Sequence, residues 1–568
     1  MKHRWLLKAP DPDNVESMSR SLGVSKPIAT ILINRDLEEI EKAHLFLKGS
    51  LKDLPSPFLM KDMKKAVDRI VLAMERKESI FVYGDYDVDG TTATALLLTF
   101  FKELGILVQF HIPHRLREGY GLHAKALEEI RAQGGRVVIT ADCGISNVAE
   151  AQVASQLGVD LIVTDHHIIP PALPDAHAVL NPLRADSDFP DLHLSGVGVV
   201  FFLVMALRQT LRETNYFSQR KEPNLRNYLD FVALGTIADL VPLKGVNHIL
   251  VKEGLSVLST QKRIAVNALC EVSGISDKKI GTYEVGFQLA PRLNAAGRLQ
   301  TATLAVKLLT SDDYHEALAV ARVLNEENQK RRFLQDEIFH QAVTMVEEKK
   351  LHLSGKSLVL SSPHWHPGVI GIVASKLVEK YYLPTCLISE QETMGKGSCR
   401  SISALHLYQA LKACADQFET FGGHKAAAGF AIPLNRIDSF RRCFDEVVRK
   451  MVSPDDFTPV TWVDLRVTLA QVDRELIEDL ALLEPFGMGN PEPVFLCEGF
   501  KVARHHIVAE KHLKLWLQDS GQQQEAIGFQ LSHHAGEVHK MKSVLFSPRV
   551  NEWNGTARIQ LRVKEFGF

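Results

Sequence analysis

Three groups of acidic and imidazole side chains stand immediately after short apolar runs. They are Asp85, Asp87 and Asp89 in GDYDVDG, Asp142 in ITADCG, and Asp165, His166 and His167 in LIVTDHH. Carboxylates at i, i+2 and i+4 can share one or two hard cations, and Gly90-Thr91-Thr92 then opens a helix whose free amides favour phosphate. Held close without a counter-ion, these carboxylates would repel one another, so a divalent metal cluster is the chemistry they imply. Taken singly, GDYDVDG also suits a solvated acidic turn. It is not an EF-hand, because Leu96 stands where that loop needs an acidic residue. Cys143 raises zinc, but alternation along a strand turns it away from Asp142 and leaves it a structural thiol.

The runs before these groups, Ile80-Phe81-Val82-Tyr83 and Leu161-Ile162-Val163 among them, have the β-branched, uninterrupted character of parallel strands buried on both faces. Strands over 80–84, 137–141 and 161–164, with helices over 91–104 and 147–157, predict a doubly wound sheet. Ligands of such sheets bind beyond the carboxyl ends of the strands, where all three groups would converge. Further on, NYLDFVALGTIADLVPL predicts a helix that delivers Asp239 near its end, before Pro242. From Ser311-Asp312-Asp313, an N-cap signal, a pattern without Gly or Pro runs to Lys350. Such a helix would be on the order of 57 Å long, a connector between lobes rather than part of one. A second α/β unit reaches about residue 452. The last segment alternates apolar and polar residues at 513–517 and 557–563, with turns at Ser520-Gly521 and Asn554-Gly555, and predicts a small β-barrel.

The divisions expected are a leader over 1–55, a catalytic domain over 56–310, a connecting helix over 311–350, a second lobe over 351–452 and a barrel domain over 453–568. A chain of 568 residues is too long for one core. Its longest apolar stretch, Val199 to Leu207, is too short for a bilayer, and its start has no h-region for secretion. Seven cysteines without a CxxC pair fit a reducing cytoplasm. Net charge is only −2, yet residues 351–452 hold 12 Lys+Arg against 8 Asp+Glu and residues 499–568 hold 10 against 6. Both late segments are therefore basic, as a polyanion's track would be. Trp516, Phe529 and Trp553 either stack bases along that track or fill the barrel core.

The ordered set YGDYDVDG, TADCG, TDHH and GTIADLVP resembles the DHH phosphoesterase superfamily, and the chain as a whole is similar to the RecJ family of single-strand-specific exonucleases. HWHPGVIGIVASKL and GGHKAAAG look like the DHH-associated domain, and EPFGMGNPEP like the entry to that family's oligonucleotide-binding barrel. The resemblance implies a fold of two α/β lobes joined by a long helix, plus a C-terminal OB-like β-barrel. It implies Asp87, Asp89, Asp142, His166 and Asp239 as metal ligands, with Asp85 a ligand or a support. His167 would face the substrate and Asp165 orient its neighbours. Arg115, Arg298, Ser398, Arg400 and His424 would grip the nucleic-acid backbone or its terminal phosphate. The family has Gly between that Ser and Arg where this chain has Cys399, a bulk that could tilt the loop. Plainer roles remain: surface ion pairs for the arginines, and close helix packing for GGHKAAAG.

Hard carboxylates with one or two imidazoles suit Mn²⁺ or Mg²⁺, as the pair of ions that two-metal hydrolysis needs ~3.5–4 Å apart. The implied activity is 5′-to-3′ hydrolysis of single-stranded DNA in repair and recombination. One lobe would cut while the other holds the strand in a gap too narrow for duplex. The family also suggests single-strand-binding protein and a RecQ-type helicase as partners, and a monomeric enzyme. Two alternatives stand beside this: a phosphodiesterase of short oligonucleotides or cyclic dinucleotides, and a non-catalytic DNA-binding relative.

Overall fold

The computed structural model describes residues 3–114, 118–276, 278–299, 302–519, 521–553 and 556–568, without the side chains of Arg298, Leu299, Glu552, Trp553 and Thr556. The first sheet has five parallel strands. In spatial order they are Gln109–His111, Ser79–Gly84, Gly135–Ala141, Asp160–Thr164 and Ala178–Leu180. Counted by sequence, that order is 2-1-3-4-5, and its direction reverses between Ser79–Gly84 and Gly135–Ala141, the usual place for a ligand crevice. The middle strands are buried on both faces, as their apolar runs required. One face packs on Val88–Glu103, Gly196–Glu213 and Leu229–Ala238, the other on Ala124–Ala132 and Val148–Gln156. Cys143 belongs to this second core, turned away from the acids as alternation predicted.

The connector is one helix, Tyr314–Glu348, capped by the Asp313 carboxylate on the Glu316 amide at 2.7 Å. Its 35 residues span roughly 52 Å. Beyond it lies a mixed sheet in the order Thr420–Gly423, Ala427–Pro433, Met394–Arg400, Thr385–Gln391, Leu358–Ser362. Within it Cys386 and Cys399 face each other across antiparallel strands, Cα atoms 4.1 Å apart, and are joined as a disulfide. No spacing signal in the sequence marks that pair, because only strand register brings it together.

The C-terminal sheet departs from the closed barrel expected. Its seven strands form an open row from Leu465–Arg466 to Lys501–Val508, with no pairing between the end strands among the described residues. The expected strands at 513–517 and 557–563 lie within it. The N-terminal helices Pro12–Leu22 and Lys26–Ile33 share a core with this sheet, so apolar helix faces bury what closure would have buried. The strand Arg4–Leu7 also pairs in parallel with Val460–Val463. The segment expected as a leader therefore docks on the far end of the chain. Gly521 has a φ of +89° suited to its turn; Ser520 and the Asn554-Gly555 turn lie outside the described residues.

Candidate metal centre

Each acid is delivered by a different local device. Asp85 leaves its strand with its amide on the Ala141 carbonyl at 3.1 Å, which ties it to the neighbouring strand end. Asp87 caps the next helix, accepting from the Gly90 amide at 3.0 Å. Asp89, in that helix's first turn, is buried and accepts from the Gly196 and Val197 amides at 2.6 and 2.8 Å. Those amides open the helix Gly196–Glu213, whose positive end steadies the carboxylate. Asp142 takes a left-handed φ of +67°, a conformation that costs a non-glycine residue about 1 kcal/mol or more and is found where function imposes it. Asp239 caps the C-terminus of Leu229–Ala238.

These groups meet. His166 Nε2 lies 3.2 Å from Asp142, 3.5 Å from Asp239 and 3.9 Å from Asp89. Three overlapping sets, Asp142-His166-His167, Asp89-His166-Asp239 and Asp85-Asp87-Asp142, each bring three donor atoms within 4.8 Å of one another. Asp142 Oδ1 and His166 Nε2 are buried and make no hydrogen bond, a costly state unless a cation completes them. The electrostatics agree. Burial, and then the charges of Asp89 and Asp87, hold the Asp142 and Asp239 carboxyls far above their ordinary range, Asp239 at about 9. Asp89 is pushed up to about 7 by burial and Asp87, and burial takes His166 down to about 4. Divalent charge reverses this cost, and the oxygen-rich donor set fits a hard ion.

Asp165 is not part of the donor basin. Its carboxylate is fully buried and accepts from the Ile145, His166 and His167 amides at 2.9, 2.8 and 3.1 Å. It also holds His167 Nδ1 at 2.7 Å. Burial would drag His167 down, but Asp165 outweighs it and raises the imidazole to about 9. The Tyr120 hydroxyl adds a 3.0 Å contact to the same Nδ1, a residue that sequence reading missed although it follows Arg115 in PHRLREGYG. Both contacts fall on Nδ1, so the other ring nitrogen, Nε2, is not used by Asp165 or Tyr120.

The other expected contacts divide. Arg115 and the Arg298 side chain lie outside the described residues, but Gly297 abuts the Tyr86 carbonyl and so brings the helix Ala290–Leu299 against the acidic loop. Ser398 and Arg400 lie on one face of a strand, not on a loop, beside Gly371 at the start of Ile370–Tyr381. Cys399 points the other way, into the lobe's core, so its bulk is absorbed there and does not tilt Ser398 and Arg400. His424 is exposed on a hairpin turn, where its amide donates to Ala427 at 2.8 Å. Gly422 beside it faces open space, so packing does not explain that glycine, whereas a Cβ at Gly423 would stand 2.5 Å from Ala428, which is buried against the helix Leu407–Lys412.

Trp516 lies outside the C-terminal core, its ring covered by the Arg504 guanidinium at 3.9 Å and stacked with His506 at 5.3 Å. Phe529 is 46% exposed, and the Trp553 side chain lies outside the described residues. Sequence reading also missed a cavity of about 550 Å³ beside Asp239, walled by Leu240, Tyr283, Phe287, Arg331, Met488 and Arg549. Tyr283 and Phe287 stack at 5.0 Å. Two aromatics four residues apart were the available signal.

A parallel sheet with acids and histidines at its switch point, and a second lobe on a long helix, define a two-lobed DHH-type protein. The match to the DHH family N-terminal domain covers residues 79–236, and that to the DHHA1 domain covers 354–450. Residues 463–565 match the RecJ OB domain, and the chain belongs to the RecJ family. It is 37% identical over 574 residues to the single-stranded-DNA-specific exonuclease RecJ of Bacillus subtilis, covering 99% of this chain and 71% of that one. The Escherichia coli relative of the same name is 34% identical over 531 residues, covering 91% and 92%. The crystal structure of Thermus thermophilus RecJ in complex with Mn²⁺ superposes with a TM-score of 0.84 at 29% identity, over all of this chain and 79% of that one. No helix among the described residues is long and apolar enough to cross a membrane.

Proposed function

We propose that this chain is a metal-dependent exonuclease that hydrolyses single-stranded DNA from the 5′ end and releases nucleotides. The observation that carries this is the set of overlapping donor triads at the switch point, in a chain that aligns with RecJ exonucleases over nearly its whole length. Asp85, Asp87, Asp89, Asp142, His166 and Asp239 would hold two Mn²⁺ or Mg²⁺ ions, with Asp142 and His166 common to neighbouring triads. When bound, the ions activate water near neutral pH and neutralise the phosphate oxygens.

The protein's own side chains supply the rest. Asp165 fixes the His167 ring, and His167 presents Nε2 to a non-bridging phosphate oxygen. Ser398, Arg400 and His424 of the second lobe, with Arg115 and Arg298 of the first, hold the backbone and its 5′-terminal phosphate. Arg400 is the natural member for a bidentate grip, because its planar guanidinium matches a phosphate. Strand bases beyond the cleaved position run past the apolar wall of Tyr283 and Phe287 toward the basic C-terminal sheet, where Phe529 and Trp516 offer rings.

The working divisions are 56–310 for catalysis, 311–350 for the connector, 351–452 for the second lobe and 453–568 for strand binding, with 1–55 docked on the last. Action as a cytoplasmic monomer in repair and recombination, alongside single-strand-binding protein and a RecQ-type helicase, completes the reading. Its test is incubation with Mn²⁺ of 5′-labelled and 3′-labelled single strands, blunt duplex, RNA and a dinucleotide. Mononucleotides from only the 5′ end of long single-stranded DNA support it; preference for the dinucleotide contradicts it.

A further inference from the structure

The loop that follows Asp239 is held by parts of the chain remote from its own domain. Immediately after Asp239, Leu240 turns left-handed at φ +61°, and the loop runs through Pro242 and Leu243. The Leu243 amide donates to the Met488 carbonyl at 2.7 Å, a bond to the EPFGMGNPEP segment. Gly489, at φ +72°, sits so close that a Cβ there would stand 3.0 Å from Pro242 Cβ, and one at Gly487 would stand 2.7 Å from Leu243 Cδ1. Asn490 is fully buried and shapes this segment, donating to the Leu483 and Pro485 carbonyls at 2.8 and 2.9 Å. Its Oδ1 accepts from Arg35, which also donates to the Pro491 carbonyl at 2.5 Å. Lys244 closes the ring by donating to the Arg35 carbonyl at 2.9 Å.

Among the carboxylates facing His166, those of Asp89 and Asp142 are 0% and 2% exposed, whereas that of Asp239 is 23% exposed. Packing encloses the first two, whereas Asp239 stands at the last turn of its helix, its amide on the Gly235 carbonyl at 2.9 Å, with the held loop directly behind it. We infer that Gly489 and Asn490, supported by Arg35, are positioning residues for Asp239, so that the C-terminal segment completes the metal centre as well as serving strand binding. This rests on the reading of Asp239 as a ligand. It gives Gly489 and Asn490 of EPFGMGNPEP a task that entry into a β-domain does not require.

The test uses the full chain without DNA, with Mn²⁺ affinity followed by the electron paramagnetic resonance of free Mn²⁺ and strand affinity measured separately in chelator. Asp239→Asn checks the ligand, and Asn490→Ala and Gly489→Ala check the latch; Gly489→Ala removes no hydrogen-bonding group of Asn490. Gly499→Ala is the control, since Gly499 has φ +75° but no neighbour within 4 Å of a Cβ. Both latch variants should bind Mn²⁺ about tenfold more weakly or worse, the scale of losing a supporting contact, with strand affinity within about twofold of the parent. Wild-type Mn²⁺ binding in the latch variants beside a weakened Asp239→Asn overturns the latch alone. Unchanged binding in Asp239→Asn removes the ligand reading and the latch with it. Equal loss of Mn²⁺ and strand binding marks general unfolding and also overturns the inference.

Discussion

The two α/β lobes handle charge in opposite ways. The first gathers six acids at one sheet edge and buries four of them; Asp85, Asp89, Asp142 and Asp165 are at most 3% exposed, with Asp87 and Asp239 half-buried beside them. The second presents Ser398, Arg400 and His424 on half-exposed or exposed positions of a sheet whose core is otherwise apolar. Buried like charges are unstable alone and so declare a missing partner. Half-exposed cations are comfortable in water, and only their neighbours give them meaning.

That contrast predicts a steep ranking of defects. Asp142→Asn should cost more activity than the ~100-fold upper range for a supporting residue, with melting temperature in the metal-free protein preserved near neutral pH, where burial already keeps the Asp142 carboxyl protonated, and raised at alkaline pH, where that carboxyl would have to ionise. Near-normal turnover in a metal-defined assay would place the centre elsewhere. Asp165→Asn should fall between ~10-fold and ~100-fold, chiefly in kcat, because the imidazole it orients remains. Arg400→Lys keeps the charge but loses the fork. It should raise KM for 5′-phosphorylated strands by roughly tenfold, as one bidentate phosphate contact of ~1–2 kcal/mol implies, and change kcat little. An equal effect on kcat would put Arg400 with the reacting atoms.

The smallest effect concerns pH. The raised carboxyls, Asp89 at about 7 and Asp239 at about 9, bind more protons folded than unfolded. His167, raised to about 9, has the same sign. Metal-free protein should therefore lose stability as pH rises from about 6.5 to about 9. Saturating Mn²⁺ should flatten that slope by a few degrees in Tm or reverse it, as scanning calorimetry at several pH values would show.

How far the sequence could be read follows the same division. Asp85, Asp142 and Asp165 each end a strand whose apolar run is unmistakable, so the convergence of their segments was legible before any coordinates. Asp239 was placed by a helix and its stop signal. Cys399 was read as a disturbance because its side of the strand depends on register, which no local pattern supplies. The closed barrel failed for a related reason. Alternation at 513–517 revealed strands, but helices from residues 12–33, nearly the whole chain away, took the place of closure. Tyr120 and the Met488 to Asn490 latch are likewise tertiary facts, visible only once distant segments touch.

The most direct test of the metal centre is a single chelation and add-back experiment on 5′-labelled single-stranded DNA. Stripped protein should release no nucleotide, Mn²⁺ should restore release from the 5′ end, and Asp142→Asn should remain silent at every Mn²⁺ concentration. Undiminished 5′ release from fully stripped protein, or from Asp142→Asn, would contradict it.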